Sequence, residues 1–350
     1  MKILLSKELK PYNSFSINQN AELILQADSV QDLIDIWSDE TYSDMIKLPL
    51  GAGSNTLFCN AFNGVVVLNR IYGKSVIETE EEYFLKVSSG EDWPSLVEWC
   101  VDNGFPGIEN LAMIPGCAGT APIQNIGAYG LELKDVCESV EYLDLDNLQI
   151  KILHNTDCHF GYRESIFKHE LKDRCIITAI TLRLAKKWTP LLSYGPLSAL
   201  YDKKTTTTRD VFNKVCEIRC QKLPDPKVLG NAGSFFKNPI ISSEQYCSLL
   251  QFYPNLPAYD VEEGKKIPAG WLIDNAGLKG FKINDAQVHK EQALVLINNG
   301  EATSDDILEL AHHVKLTVLN MYNIELEHEV RFYANGKESF LSELFHERSH

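Results

Sequence analysis

The chain has no CxxC pair, no GxSxG element, no internal repeat, and no apolar run near the roughly 20 residues of a membrane span. Positive charge is scarce too: 33 Lys and Arg face 48 Asp and Glu, leaving a net charge of -15. A field of that sign repels nucleic-acid backbones and anionic bilayers, so neither is expected as a partner. A small anion is admitted only where Arg and Lys gather. Cys216 and Cys220 lie four apart on an expected helix, but no second pair or HxxxH joins them, so no metal site is expected. Nine scattered cysteines suit reduced, mostly buried thiols. The apolar stretch within Met1 to Lys7 is too short for a signal-peptide core, which points to the cytoplasm.

What is present is a globular composition, 44% hydrophobic and 23% charged, in 350 residues, enough for two or three domains. Ser29 is set to cap a helix with the stripe Val30, Leu33, Ile34 and Trp37. Asp92 and Pro94 open a second, carrying Leu96, Val97 and Cys100 and ending at Gly104. Strands are expected at 64–68, 83–87, 139–145, 150–153 and 175–184. A solvated turn from Tyr201 through Thr208 marks the main domain boundary, followed by a helix with Val211, Phe212, Val215 and Ile218. Ser304 is read as the cap of the clearest helix, with Ile307, Leu310, Ala311, Val314, Val318 and Met321 on one face. From Glu325 to Tyr333 the alternation predicts a strand, Leu326, His328, Val330 and Phe332 on one side and Glu327, Glu329 and Arg331 on the other.

Three segments invite chemistry. Gly51-Ala52-Gly53-Ser54-Asn55 follows an apolar run but lacks the third glycine of a dinucleotide fingerprint and leads to a strand instead of a helix. It can be a plain hairpin turn or a nest of backbone N–H groups for a phosphate. Ile114 to Gly130 holds four glycines and two prolines among small apolar residues, with Gln124 and Asn125 suited to a heterocycle edge. Its alternatives are a long surface loop and a backbone laid against a flat ligand. Gly230 to Pro239 puts Ser234 in flexible backbone beside Phe235 and Phe236, preceded by Arg219, Lys222 and Lys227, which suits an anionic substrate and a proton transfer. Glu329 and Arg331 could polarise a carboxylate or form an ordinary exposed ion pair, and His312-His313 lacks the third ligand of a metal site.

Together these segments, with Phe160 to Ser165, Lys222 to Pro226, Ala269 to Asp274, His289 to Ile297 and Leu326 to Phe332, resemble the bacterial UDP-N-acetylenolpyruvoylglucosamine reductases, type I subgroup, over nearly the whole chain. The resemblance implies an α+β chain: a two-subdomain FAD-binding fold of the vanillyl-alcohol-oxidase (PCMH) type plus a smaller α/β substrate-binding domain. The implied divisions are 1–70 and 71–207 for FAD, 208–325 for substrate, and 326–350 for a strand returning to the active site and a tail. FAD would be held by Gly51, Ala52, Gly53, Ser54 and Asn55, by Pro115, Gly116, Gly119 and Thr120, and by Gln124, Asn125, Ile126 and Gly127. Arg163, Ser234 and Glu329 match the family's catalytic positions, Ser234 as proton donor. Tyr129, Tyr194, Lys222, Asn238, Gln292 and Arg331 match its substrate contacts. The implied reaction is NADPH-dependent reduction of UDP-N-acetylglucosamine enolpyruvate, by a monomer, for peptidoglycan synthesis. Ala52 and His328 depart from residues found in some members, Glu and Pro, at positions without a catalytic role.

Overall fold

The computed structural model describes residues 1–201 and 205–346, so the expected turn at Tyr201 to Lys204 lies largely outside the described residues. Contacts divide the chain into two units, each built from separated segments: 1–7, 23–52 and 64–221 in the first, and 8–22, 53–63 and 222–350 in the second.

In the first unit, Ser29 accepts from the Asp32 amide and starts helix α1, Val30–Ser38. Leu33 and Ile36 pack with Leu25, Val65 and Val67 of a four-stranded sheet in which Lys47–Leu50 runs parallel to Phe62–Asn69. A five-stranded antiparallel sheet follows, ordered Gln149–His154, Cys137–Asp144, Cys175–Ala185, Glu82–Ser88, Lys74–Glu78. Helix α2, Trp93–Asp102, is capped by Asp92 with Pro94 in its first turn, and buries Leu96, Val97 and Cys100 with Leu85, Val87 and Leu182 of that sheet. Each such aliphatic side chain contributes about 1.5–3 kcal/mol on burial. Helix α3, Thr208–Lys222, joins the same core through Val211, Phe212, Val215 and Ile218. The sequence reading opens a new domain at 208; this apolar face holds α3 in the first unit, and the contact boundary falls after Gln221.

The second unit has its own core, with Phe15, Leu57, Phe235, Leu272, Leu296, Val314 and Phe332. It holds helices α4, Ser243–Leu250, α5, Ala269–Asn275, and α6, Ser304–Tyr322. Thr303 caps α6, exchanging a capping box with Asp306, whereas Ser304 is the first helical residue and donates to the Cys59 carbonyl. Met321 is exposed and Tyr322 takes the buried place at the end of that stripe. One sheet is antiparallel, ordered Gly230–Ser234, Val295–Asn298, Ala286–Val288, Lys282–Ile283. Another sets Arg331–Ala334 between Lys337–Ser339 and Thr56–Phe58, the latter pair parallel. Regular strand therefore begins only at Arg331. Upstream, residues 327–329 bond singly to 235–237, yet Leu326, Val330 and Phe332 are buried and Glu327 exposed, as the alternation requires.

All nine cysteines are free, and burial pushes the thiols of Cys100, Cys137, Cys158 and Cys175 up to about 12. Such thiols stay protonated and unreactive. Among the described residues no helix is long and apolar enough to cross a membrane.

Candidate active site

The loop from Gly51 to Asn55 is not a hairpin, because its flanking strands, Lys47–Leu50 and Thr56–Phe58, enter different sheets. Gly51 belongs to the first unit, where it meets the second glycine-rich segment: a Cβ on Gly51 would lie 2.6 Å from Cys117 Sγ and 2.7 Å from Thr120 Cγ2. Arg70 donates to the Gly51 carbonyl at 2.9 Å. Gly116 has φ +135°, and Gly119 packs so closely on Ser89 that its Cβ would fall 2.5 Å from the serine Cβ. Pro115 is exposed, Gly116 and Gly119 buried, Thr120 half-buried. The two segments predicted to hold cofactor thus touch, through positions that exclude side chains.

Among the described residues, no backbone hydrogen bond uses the N–H of Ala52, Gly53 or Ser54. Consecutive unused amides are the donor set a pyrophosphate needs. Gln124 is half-buried. Asn125 is fully buried at φ +43° and directs its side chain to the protein: its amide donates to Glu132 and the Gly161 carbonyl, and its oxygen accepts from the Lys134 amide. Ile126 is buried beside it, and Gly127 accepts from Arg163 Nη2 at 3.2 Å. Arg163 sits in a tight turn at φ +57°, its guanidinium 5.6 Å from the Tyr162 ring centre. These residues therefore fit a flavin nucleotide: glycine backbone at close approach, free amides, and a cation.

Also in the first unit, Tyr129, at φ +51°, meets Tyr194 edge-on with centroids 5.7 Å apart. The phenol of Tyr129 lies against Arg219 on α3. Burial pulls the Arg219 guanidinium below its ordinary range, its Nε is buried without a hydrogen-bond partner, and no carboxylate pairs with it among the described residues. A half-buried cation with no carboxylate partner is a ready seat for an anion. The sequence reading counted Arg219 only as nearby positive charge. The available signal was its place four residues after Val215, where the helical stripe calls for an apolar residue.

In the second unit, Ser234 ends its strand after an irregularity between Asn231 and Ser234; Gly233 takes φ +71° and its amide donates to Asn231 Oδ1 at 2.8 Å. A bulge of this kind re-aims a side chain, and Ser234 is exposed between half-buried Gly233 and buried Phe235. The Glu329 amide donates to the Phe235 carbonyl at 2.8 Å, and the Glu329 carbonyl accepts from Asn55 Nδ2 at 2.8 Å. Arg331 donates its amide to the Asn55 carbonyl and forks its guanidinium onto Glu338 at 2.9 and 3.0 Å. Thus Asn55, Glu329 and Arg331 come together, and Ser234 precedes Phe235, the backbone partner of Glu329. Asn238 accepts from the Ala269 amide at the start of α5, Gln292 lies against Gly270, and Lys222 is exposed at the end of α3.

His328, between Glu327 and Glu329, donates from Nδ1 to the Val330 carbonyl at 2.7 Å and lies 4.4 Å from the Phe332 ring. Burial lowers its pKa below 6.5, outweighing that bond and Glu327. The unfolded chain then takes up a proton below about 6.5 while the folded chain does not, so this stability is present above that value and lost as pH falls to the lower folded value. Melting temperature should drop less between pH 7 and 5 in His328→Gln than in the parent. Parallel curves would exclude His328 as the source.

His313 stacks on Phe281 and His312 on Phe345, and among the described residues no cluster of His, Cys, Asp or Glu could hold a metal.

A family model described as FAD binding domain matches residues 21–152, and one described as UDP-N-acetylenolpyruvoylglucosamine reductase, C-terminal domain, matches 225–333. The chain is 78% identical over 350 residues, the whole of both chains, to the UDP-N-acetylenolpyruvoylglucosamine reductase of Aliivibrio fischeri. The chain belongs to the UDP-N-acetylenolpyruvoylglucosamine reductase family. It is 52% identical to the Photobacterium profundum reductase, over 98% of this chain and 99% of that one. The crystal structure of the Thermus caldophilus reductase shares the fold, with TM-score 0.66 at 22% identity, covering 95% of this chain and 100% of that chain. As a member of the reductase family the chain is an FAD-dependent oxidoreductase, and its mixed helices and sheets make it α+β.

Proposed function

We propose that this chain reduces the enolpyruvyl group of UDP-N-acetylglucosamine enolpyruvate to give UDP-N-acetylmuramate, with NADPH as reductant, as a cytoplasmic monomer supplying peptidoglycan synthesis. The observation that carries most weight is the bulge that turns Ser234 outward one residue from Phe235, whose carbonyl holds the Glu329 amide. This bond between two neighbouring segments supports reading Ser234 as proton donor and Glu329 as its catalytic companion.

Gly51 to Asn55, Pro115 to Thr120 and Gln124 to Gly127 would hold FAD, which would supply hydride chemistry between NADPH and C3 of the enolpyruvyl group. An enol ether is electron-rich and resists hydride, so negative charge gathering on its carboxylate must be stabilised. Arg163 does this by charge and Glu329 by hydrogen bonding at the same carboxylate. Ser234 Oγ gives its proton to C2, where the developing carbanion is a strong enough base to take it. Arg219 and Lys222 receive anionic groups of the nucleotide, Tyr129, Tyr194, Asn238 and Gln292 line the same ligand, and Arg331 contacts it from beside Asn55.

The test is a visible spectrum. Purified protein should be yellow, bleach when NADPH is added anaerobically, and regain colour when the enolpyruvyl nucleotide follows. Colourless protein would defeat the flavin assignment. Bleaching without substrate-dependent return would indicate a different oxidoreductase, and binding without bleaching a non-catalytic sensor.

A further inference from the structure

A short 3-10 turn, Glu109–Leu111, lies wholly buried within the first unit, although two of its three residues are polar. Asn110 Nδ2 donates both of its hydrogens to main-chain carbonyls, to Tyr129 at 2.9 Å and to Leu191 at 3.0 Å, while its Oδ1 is buried with no partner. Next to it, Glu109 accepts from Trp188 Nε1 at 2.6 Å and from the Gly107 amide at 2.8 Å. Burial raises the Glu109 pKa above its ordinary range, and no cation pairs with it among the described residues. Two adjacent buried polar side chains thus grip both ends of the irregular stretch from Trp188 to Leu191, and the same Asn110 nitrogen grips Tyr129.

Neither Trp188 nor Leu191 lies in a helix or strand, so no ladder hydrogen bonds fix this stretch. It leads directly to Tyr194, half-exposed, whose ring stands edge-on against Tyr129. An amide nitrogen with two divergent hydrogens is the smallest neutral group able to tie two carbonyls at one point. An unpaired Oδ1 is tolerated here, which implies that the two donor bonds matter more than the acceptor left without one.

We propose that Asn110, assisted by Glu109, is a positioning residue: it latches the 188–194 arm to the backbone of Tyr129 and so sets the Tyr129–Tyr194 pair beside Arg219. It touches no reacting atom. The effect on substrate rests on the functional assignment above, in which both tyrosines contact the nucleotide; the latch itself does not.

The decisive variant is Asn110→Asp, the same shape with both donors replaced by a carboxylate facing two carbonyls. FAD-loaded full-length protein is compared in two measurements. In limited proteolysis without ligand, cleavage within 186–200, at Lys186, Lys187, Trp188 or Tyr194, should accelerate about tenfold or more, the factor expected for losing about one hydrogen bond's worth of local stability. An unchanged cleavage rate overturns the latch. In reoxidation of chemically reduced flavin by the enolpyruvyl nucleotide, the half-saturating concentration should rise about tenfold while the limiting rate stays within about threefold. A lower limiting rate with unchanged half-saturation overturns the positioning role. Where Asn110→Asp does not retain flavin, Trp188→Phe decides by the same two measurements, since it removes only the indole donor to Glu109. If the parent protein is never reoxidised by the nucleotide, the functional assignment has failed and proteolysis alone judges the latch.

Discussion

Ser234→Ala is expected to slow reoxidation of the reduced flavin by the enolpyruvyl nucleotide by about 10²–10⁴-fold, while NADPH still bleaches the flavin at close to the parent rate. The split follows from what the side chain does. Reduction by NADPH needs no proton at C2 of the sugar's enolpyruvyl group, whereas completing the second half-reaction does. The fold should tolerate the change: Ser234 is exposed at a strand end, and its bulge is held by the Gly233 amide on Asn231, not by the hydroxyl. Stopped-flow traces of each half-reaction decide it. Equal slowing of both would mean that Ser234 supports flavin or cofactor binding and does not donate the proton.

Gly53→Ala should be the most damaging substitution in the glycine-rich loop. Its backbone stands at φ +64°, a region that costs a residue with a side chain about 1–3 kcal/mol. A Cβ there would also lie 1.9 Å from the Tyr12 carbonyl oxygen and 2.8 Å from its carbon. Both are backbone atoms in the same unit and cannot rotate aside, unlike the end of a flexible side chain. The expected loss is more than about 3 kcal/mol in urea unfolding, with flavin retention falling alongside. Gly104→Ala is the matched control: its φ is +74°, but nothing lies within 4 Å of the added carbon, so only the conformational cost remains. If the two variants were equally stable, the contact with Tyr12 would carry no weight.

Much of the local structure was legible in the sequence because its causes are local. The Ser29 and Asp92 caps, the stripes of α1, α2 and α3, and the valine run at 65–67 act over a few residues, and each appears at the expected place. Where reading failed, a neighbour decided. Thr303 displaced Ser304 as cap because Asp306 sits where it can close the box, and Ser304 turns instead to Cys59. The strand expected from Glu325 is regular only from Arg331, because Thr56–Phe58 offers it a partner only there. Asn125 has the hydrogen-bonding capacity foreseen for it, but Glu132, Gly161 and Lys134 consume that capacity.

The same division holds for the loop at Gly51. Its glycines alone left a hairpin turn and a phosphate nest open; with the motifs from Arg163 to Glu329 they indicate a flavoprotein reductase through their resemblance to that family, since residue types and their order are properties of the chain. Only the tertiary structure decided that its two flanking strands part into separate sheets, that Asn55 bonds Glu329 and Arg331, that Arg219 is half-buried with its Nε unpartnered, and that Asn110 ties Tyr129 to Leu191. These pairings join residues as far as 276 positions apart, and a sequence window carries no preference among distant partners. Packing selects among them, because each buried polar group must find a partner only once the apolar cores around it have closed.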